Sequence, residues 1–208
     1  MTAAHPSVSR RPVLGALVII VAVLAAAFAV LLLVVPPAVA PDVWSYPLTA
    51  APFIAGQVLV AVNHLVLAAG LFAAWRVGLA GHSRLAAIGG ISSTVAMTLF
   101  GILELVAAGA ANDVGDTGFV EILDDLYGAA TVLLALCSIV FGIAILRGHA
   151  WRGFTRVTVL VTGIYLVVPM IPAQFGPQFF GLIALVGWSL LYIGLGIGLR
   201  RGVSGPAK

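Results

Sequence analysis

Six long apolar runs, separated by short polar connectors, set the pattern of this chain. The first goes from Pro12 to about Val35 and closes at Pro36 and Pro37. The second covers about Pro52 to Trp75 and stops at Arg76, and the third covers Leu85 to about Gly109. The fourth is about Ile122 to Leu146, the fifth about Val157 to Ala173, and the sixth about Gln178 to Leu199. Pro172, Gly176 and Pro177 break the chain between the last two. At a rise of 1.5 Å per residue, about 20 helical residues cross a hydrocarbon core of roughly 30 Å. Lipid offers no partner to an unpaired amide, so a spanning segment must satisfy its backbone internally, as a helix does. A barrel strand would instead alternate polar and apolar positions over about ten residues. The pattern predicts an all-α integral membrane protein, a six-helix transmembrane bundle. It forms one membrane domain over residues 1–208, with spans near 12–35, 52–75, 85–109, 122–146, 157–173 and 178–199.

Composition agrees. The chain is 62% hydrophobic and 8% charged, with a mean hydropathy of +1.19, whereas a soluble domain is roughly a quarter charged. Six spans and their connectors use nearly all of the 208 residues, leaving no room for a separate soluble domain. All ten basic residues fall on one side of the six-span arrangement: Arg10, Arg11, Arg76, Arg84, Arg147, Arg152, Arg156, Arg200, Arg201 and Lys208. Six of the seven acidic residues fall on the other side, and Glu104 lies within the third run. Basic residues are retained in the cytoplasm, so both termini are expected there (N-in/C-in). One missed or invented span would invert every later loop and spoil the segregation. Nine Arg to one Lys, with abundant Ala, Gly and Val, suggests a high-GC bacterial source and hence a bacterial plasma (inner) membrane. The pI of about 9.5 comes from few charges that act as orientation signals, so no nucleic-acid partner is expected. The lipid bilayer is the expected partner, and a membrane-protein partner or a homo-oligomer is compatible with the composition.

Ser9-Arg10-Arg11-Pro12 resembles a twin-arginine signal, and Ala38-Val39-Ala40 a small-residue cleavage site. The apolar run between them is longer than the 7–15 residues of a signal core, which favours an uncleaved first helix. Cys137 is the single cysteine and lies inside an apolar run, so no internal disulfide forms. Before the fourth run, Phe119, Ile122, Leu123, Leu126 and Tyr127 recur at helical spacing while Glu121, Asp124 and Asp125 face elsewhere. This predicts an amphipathic start at the outer interface, its carboxylates favoured by the helix dipole. The acidic loop with Asp113 and Asp116 lacks the alternating ligands and central glycine of a calcium loop. No metal site is expected.

A carboxylate at mid-membrane costs roughly 2.5–3.5 kcal/mol on insertion scales. Glu104 should therefore face protein rather than lipid. Ser93, Met97 and Glu104 share one helical face, flanked by Gly90 and Gly101, and a small-residue stripe of this kind permits close helix approach. On the second run, Gln57 lies at the depth of Glu104, and His64 follows two turns deeper on the same face. Asn63 points about 100° away from His64. Tyr165 and Trp188 also fall near mid-depth, whereas Trp44, Tyr46, Trp75 and Trp151 fit interfacial belts. Gln57, Asn63, His64, Glu104, Tyr165 and Trp188 are the candidate intramembrane polar site. They either line a cavity, where His64 and Glu104 bind a solute or exchange protons, or bond one another and hold the bundle together.

No cofactor is expected. A haem held by two axial histidines would find only His64 at depth, because His5, His82 and His149 lie in cytoplasmic segments. Zinc-protease, nucleophile-elbow and Walker motifs are absent. Gly194 and Gly198 are spaced for helix packing. Pro169 and Pro172 mark a kink or an end in the fifth run. The connectors after Arg76 and Arg147 share an Arg, Gly, His, Arg order that hints at a repeated hairpin. Three functions fit, in this order: a non-catalytic membrane component or accessory subunit, a small solute or proton-coupled transporter using His64 and Glu104, and an intramembrane enzyme.

Overall fold

The computed structural model describes residues 10–115, 117–149 and 151–201. Asp116, His5 and Lys208 lie outside these residues, and the side chains of Arg10 and Arg11 are likewise not described. All regular structure among the described residues is helical: α1 Arg10–Val34, α2 Ala50–Arg76, α3 Arg84–Ala107, α4 Gly118–Gly148, α5 Thr158–Tyr165, α6 Ile171–Gln174 and α7 Gln178–Arg201. Five of these, α1 to α4 and α7, are long and apolar enough to cross a bilayer. The expected fifth run is a shorter rod, Thr158–Gln174. In it a π-helical turn, Leu166–Met170, joins α5 to α6 and contains Pro169. Proline has no N–H to donate and its ring crowds the preceding turn, so the chain widens at the expected kink and the rod runs on.

Most element ends lie within a few residues of the expected ones. The exception is α4, which begins at Gly118 and runs unbroken into the apolar segment. Its first turns do not present a single apolar face. Val120 and Leu123 are buried, while Phe119, Ile122 and Leu126 are exposed. The inward stripe is therefore Val120, Leu123 and Tyr127, and the outward residues suit lipid. Ser83 starts α3 properly, its side-chain oxygen accepting from the Ala86 amide at 3.1 Å. At the end of α4, Arg156 Nη2 donates to the Leu146 carbonyl at 2.6 Å, satisfying an orphan acceptor of the last turn.

Consecutive long helices run antiparallel, and the most extensive interface joins the two ends of the chain, α1 against α7. Glycine permits that approach. A Cβ on Gly15 would lie 2.6 Å from the Gly196 carbonyl and 2.7 Å from Arg200 Cγ. Gly90 meets Trp75, and Gly89 meets the Phe141 backbone, in the same way. Gly194 and Gly198, spaced for helix packing, are covered by Thr158 at the start of α5 and by Trp151 of the connector before it, whereas Gly196 faces α1. Gly148 presses on Leu79 and Ala80, so the two connectors with the shared Arg, Gly, His order abut each other. These contacts gather Arg76, Arg84, Arg147, Arg152, Arg156, Arg200 and Arg201 at one end of the bundle.

The acidic connectors meet at the opposite end. Val43 and Val114 form a single antiparallel bridge, in which the Trp44 amide donates to the Asp113 carbonyl at 2.9 Å and the Gly115 amide to the Asp42 carbonyl at 2.8 Å. Trp151, expected in an interfacial belt, is instead 2% exposed beneath α7 at the basic end. The absence of a side chain at Gly198 leaves a slot that its indole fills.

Candidate functional site

Glu104 sits one turn from the end of α3 and is buried, as is His64 on α2. Helix α3 brings its small-residue face against α2: a Cβ on Gly101 would lie 3.2 Å from the Ala61 carbonyl. That closeness places Glu104 Oε1 3.9 Å from His64 Nδ1. The ring's shorter contact is local, since Nδ1–H donates to the Val60 carbonyl at 2.9 Å. In that tautomer the neutral imidazole keeps Nε2 as an acceptor. Phe100 stacks on His64 with ring centroids 5.4 Å apart, and Trp188 lies across it at 5.8 Å.

Glu104 takes its hydrogen bond from α4. The Tyr127 hydroxyl donates to Glu104 Oε2 at 2.8 Å. Gln57, the partner expected from depth alone, lies alongside both groups and is half-buried. Tyr127 is the residue that sequence reasoning missed, because its place in the acidic, amphipathic entry of α4 assigned it to the interface. A usable signal existed. Tyr127 stands nine residues into α4 and Glu104 three before the end of α3, so antiparallel neighbours put them at comparable depth. Above Tyr127, the Trp44 ring lies 6.4 Å away and covers the cluster from the acidic end.

Of the six candidates, His64, Glu104, Trp188 and Gln57 come together. Asn63 is buried but points to the α1 side, as expected from its angle. It lines a cavity of about 20 Å³ with Val21, Leu24, Ala25, Leu59, Val60 and Val62, and its Oδ1 has no protein hydrogen-bond partner. That volume holds about one water molecule. Tyr165 is half-buried with its hydroxyl over Gly187, the residue before Trp188 in α7. Among the described residues, no group of three or more His, Cys, Asp or Glu side chains is placed to hold a metal ion.

The cluster therefore has two titratable groups in near contact, one phenol fixing the carboxyl and aromatic walls on several sides. Such an arrangement can hold a proton or bond helices together. It belongs to an all-helical protein with membrane-type helices. Comparison with protein-family models, curated proteins and solved structures finds no match for this chain.

Proposed function

We propose that this protein is a multi-pass component of a bacterial plasma membrane that performs no catalysis of its own and works as an accessory or assembly subunit. In this reading all six apolar rods span the bilayer, and both termini are cytoplasmic. The observation that carries it is where the intramembrane polarity is used. Glu104 on α3 is engaged by Tyr127 on α4 and faces His64 on α2, so one carboxyl ties three helices. Interhelical polar bonds average about 0.6 kcal/mol in such bundles, which suits register control. The glycine contacts of α1 with α7 and of α3 with its neighbours serve the same end. Affinity isolation of the full chain from native membranes in mild detergent tests this reading. A stoichiometric membrane-protein partner or a defined homo-oligomer is expected, and a lone monomer across several detergents counts against it.

A second reading is favoured by one distance. His64 and Glu104, 3.9 Å apart at depth, are the pair a small solute or proton-coupled carrier would use. Solute-dependent thermal stabilisation that vanishes in His64→Ala and Glu104→Ala is its expected signature. An intramembrane enzyme ranks third, since it would have to work with those two groups alone.

A further inference from the structure

Two adjacent arginines, Arg200 and Arg201, close α7. Both are exposed, and with Ile197, one turn earlier, they line an open hollow of about 290 Å³. Helix packing fixes one side of it. The Cγ atom of Arg200 rests on α1, where a Cβ at Gly15 would stand 2.7 Å away, so only glycine leaves room for the arginine stem. Other arginines at this end are already engaged. Arg156 donates to the Leu146 carbonyl at 2.6 Å, and Arg76 lies over the Trp75 ring at 5.8 Å. Among the described residues, Arg200 and Arg201 meet no carboxylate, since the acidic side chains lie at the opposite end or, for Glu104, inside the bundle. Below the hollow the surface turns apolar. Leu190, Ile193 and Ile197 recur at three- and four-residue spacing along α7 and lead from the arginine pair toward mid-depth. Leu190 is exposed, and Ile193 and Ile197 are half-buried.

Paired guanidinium groups above an apolar wall, at the level where a spanning helix leaves the hydrocarbon, match an amphiphile with an anionic head. A guanidinium grips a phosphate through two parallel N–H···O bonds and stays charged at any physiological pH. The hollow stands at the small end of ligand clefts, which begin near about 300 Å³. It admits a headgroup and leaves the chains outside, on α7. We propose that Arg200 and Arg201 hold the phosphodiester of an anionic membrane lipid, with an acyl chain laid along Ile197, Ile193 and Leu190. A free phosphate would gain nothing from the apolar stripe. An acidic protein segment at this depth would have to desolvate its carboxylates against Ile197, which is costly. The competing role for the pair is internal, because cations in the last turn also offset the negative end of the helix dipole. That role is the same in every lipid. The site requires only that α7, which is long and apolar enough, crosses a bilayer, so it depends neither on a protein partner nor on the His64–Glu104 pair.

To test this, the full chain in dodecyl maltoside micelles is titrated with phosphatidylglycerol, and bound lipid is counted by native mass spectrometry alongside thermal melts. Saturable binding that raises the melting temperature is expected, with phosphatidylcholine and inorganic phosphate giving neither. Arg200→Gln/Arg201→Gln should bind phosphatidylglycerol about thirtyfold more weakly, roughly fivefold for each arginine. Arg84→Gln/Arg152→Gln removes the same charge from elsewhere on this end and should leave most of the affinity in place. Equal loss from both pairs identifies a diffuse charge field and overturns the site, as does undiminished binding in Arg200→Gln/Arg201→Gln. Stabilisation by inorganic phosphate alone, or equal binding of phosphatidylcholine, overturns the lipid assignment. Ile197→Trp keeps both charges but fills the hollow, so it gives a readout even where the double variant does not fold. Loss of bound phosphatidylglycerol is expected there, and full retention overturns the proposal.

Discussion

Glu104 keeps its place because three helices supply what lipid cannot. Its carboxyl accepts from Tyr127 at 2.8 Å and stands 3.9 Å from the His64 ring. Removing the phenol oxygen alone should expose this dependence, because a buried acceptor left without its donor costs about 1–3 kcal/mol. Tyr127→Phe is therefore expected to lower unfolding stability in detergent by that amount, and a neutral result would mean Glu104 is satisfied elsewhere. The Glu104 side of the site was legible from its isolation in an apolar run, and His64 from its helical spacing to Gln57. Tyr127 was not, since a tyrosine near carboxylates reads as interfacial until the neighbouring helix is known to present a carboxyl at the same depth. The Nε1 groups of Trp44 and Trp188, buried without a protein hydrogen-bond partner, were equally invisible, because hydrogen-bond partnering is a property of the packed state.

Helix pairs in this bundle are set by glycines of two kinds. At Gly142 an added Cβ would collide with the Leu160 backbone, so α4 and α5 would have to separate. Gly142→Ala is expected to destabilise by about 1–3 kcal/mol through overpacking. Gly128, on the same helix, meets nothing within 4 Å and is exposed. Gly128→Ala should stabilise by up to about 1 kcal/mol, through propensity alone. Thermal melts of the two variants, side by side, check the pair, and equal behaviour would refute the assigned contacts. Sequence periodicity located these glycines on helices but could not say which ones face a backbone. The Gly194 and Gly198 spacing was readable, whereas the residues they receive, Thr158 and Trp151, arrive from another segment.

Across the whole molecule, the segregation of charge is the feature with the widest consequence. Basic side chains gather at the end where α1 starts and α7 finishes, and the acidic connectors are laced together at the other. With arginine retained in the cytoplasm, the proposed orientation puts that end inside, and cysteine labelling tests it. Cys137 is buried, so the native chain should resist a membrane-impermeant maleimide and provide a clean background. Thr117→Cys is expected to label from outside intact cells, and His82→Cys only after permeabilisation. The opposite pattern would invert the topology.

Helical class and the presence of several helices long and apolar enough to cross a bilayer follow from the one-dimensional order of residues. Hydrophobic run length and charge placement are local quantities, and lipid permits few backbone solutions. The same order singled out Glu104 and His64, since a charged or polar group costs energy wherever the surrounding medium is apolar. Which groups meet those two residues was decided only by the packing of α2, α3, α4 and α7, as were the seating of Trp44 over Tyr127 and the burial of Trp151 under Gly198. Close approach depends on complementary shapes contributed by segments far apart in the chain, and no local pattern encodes them.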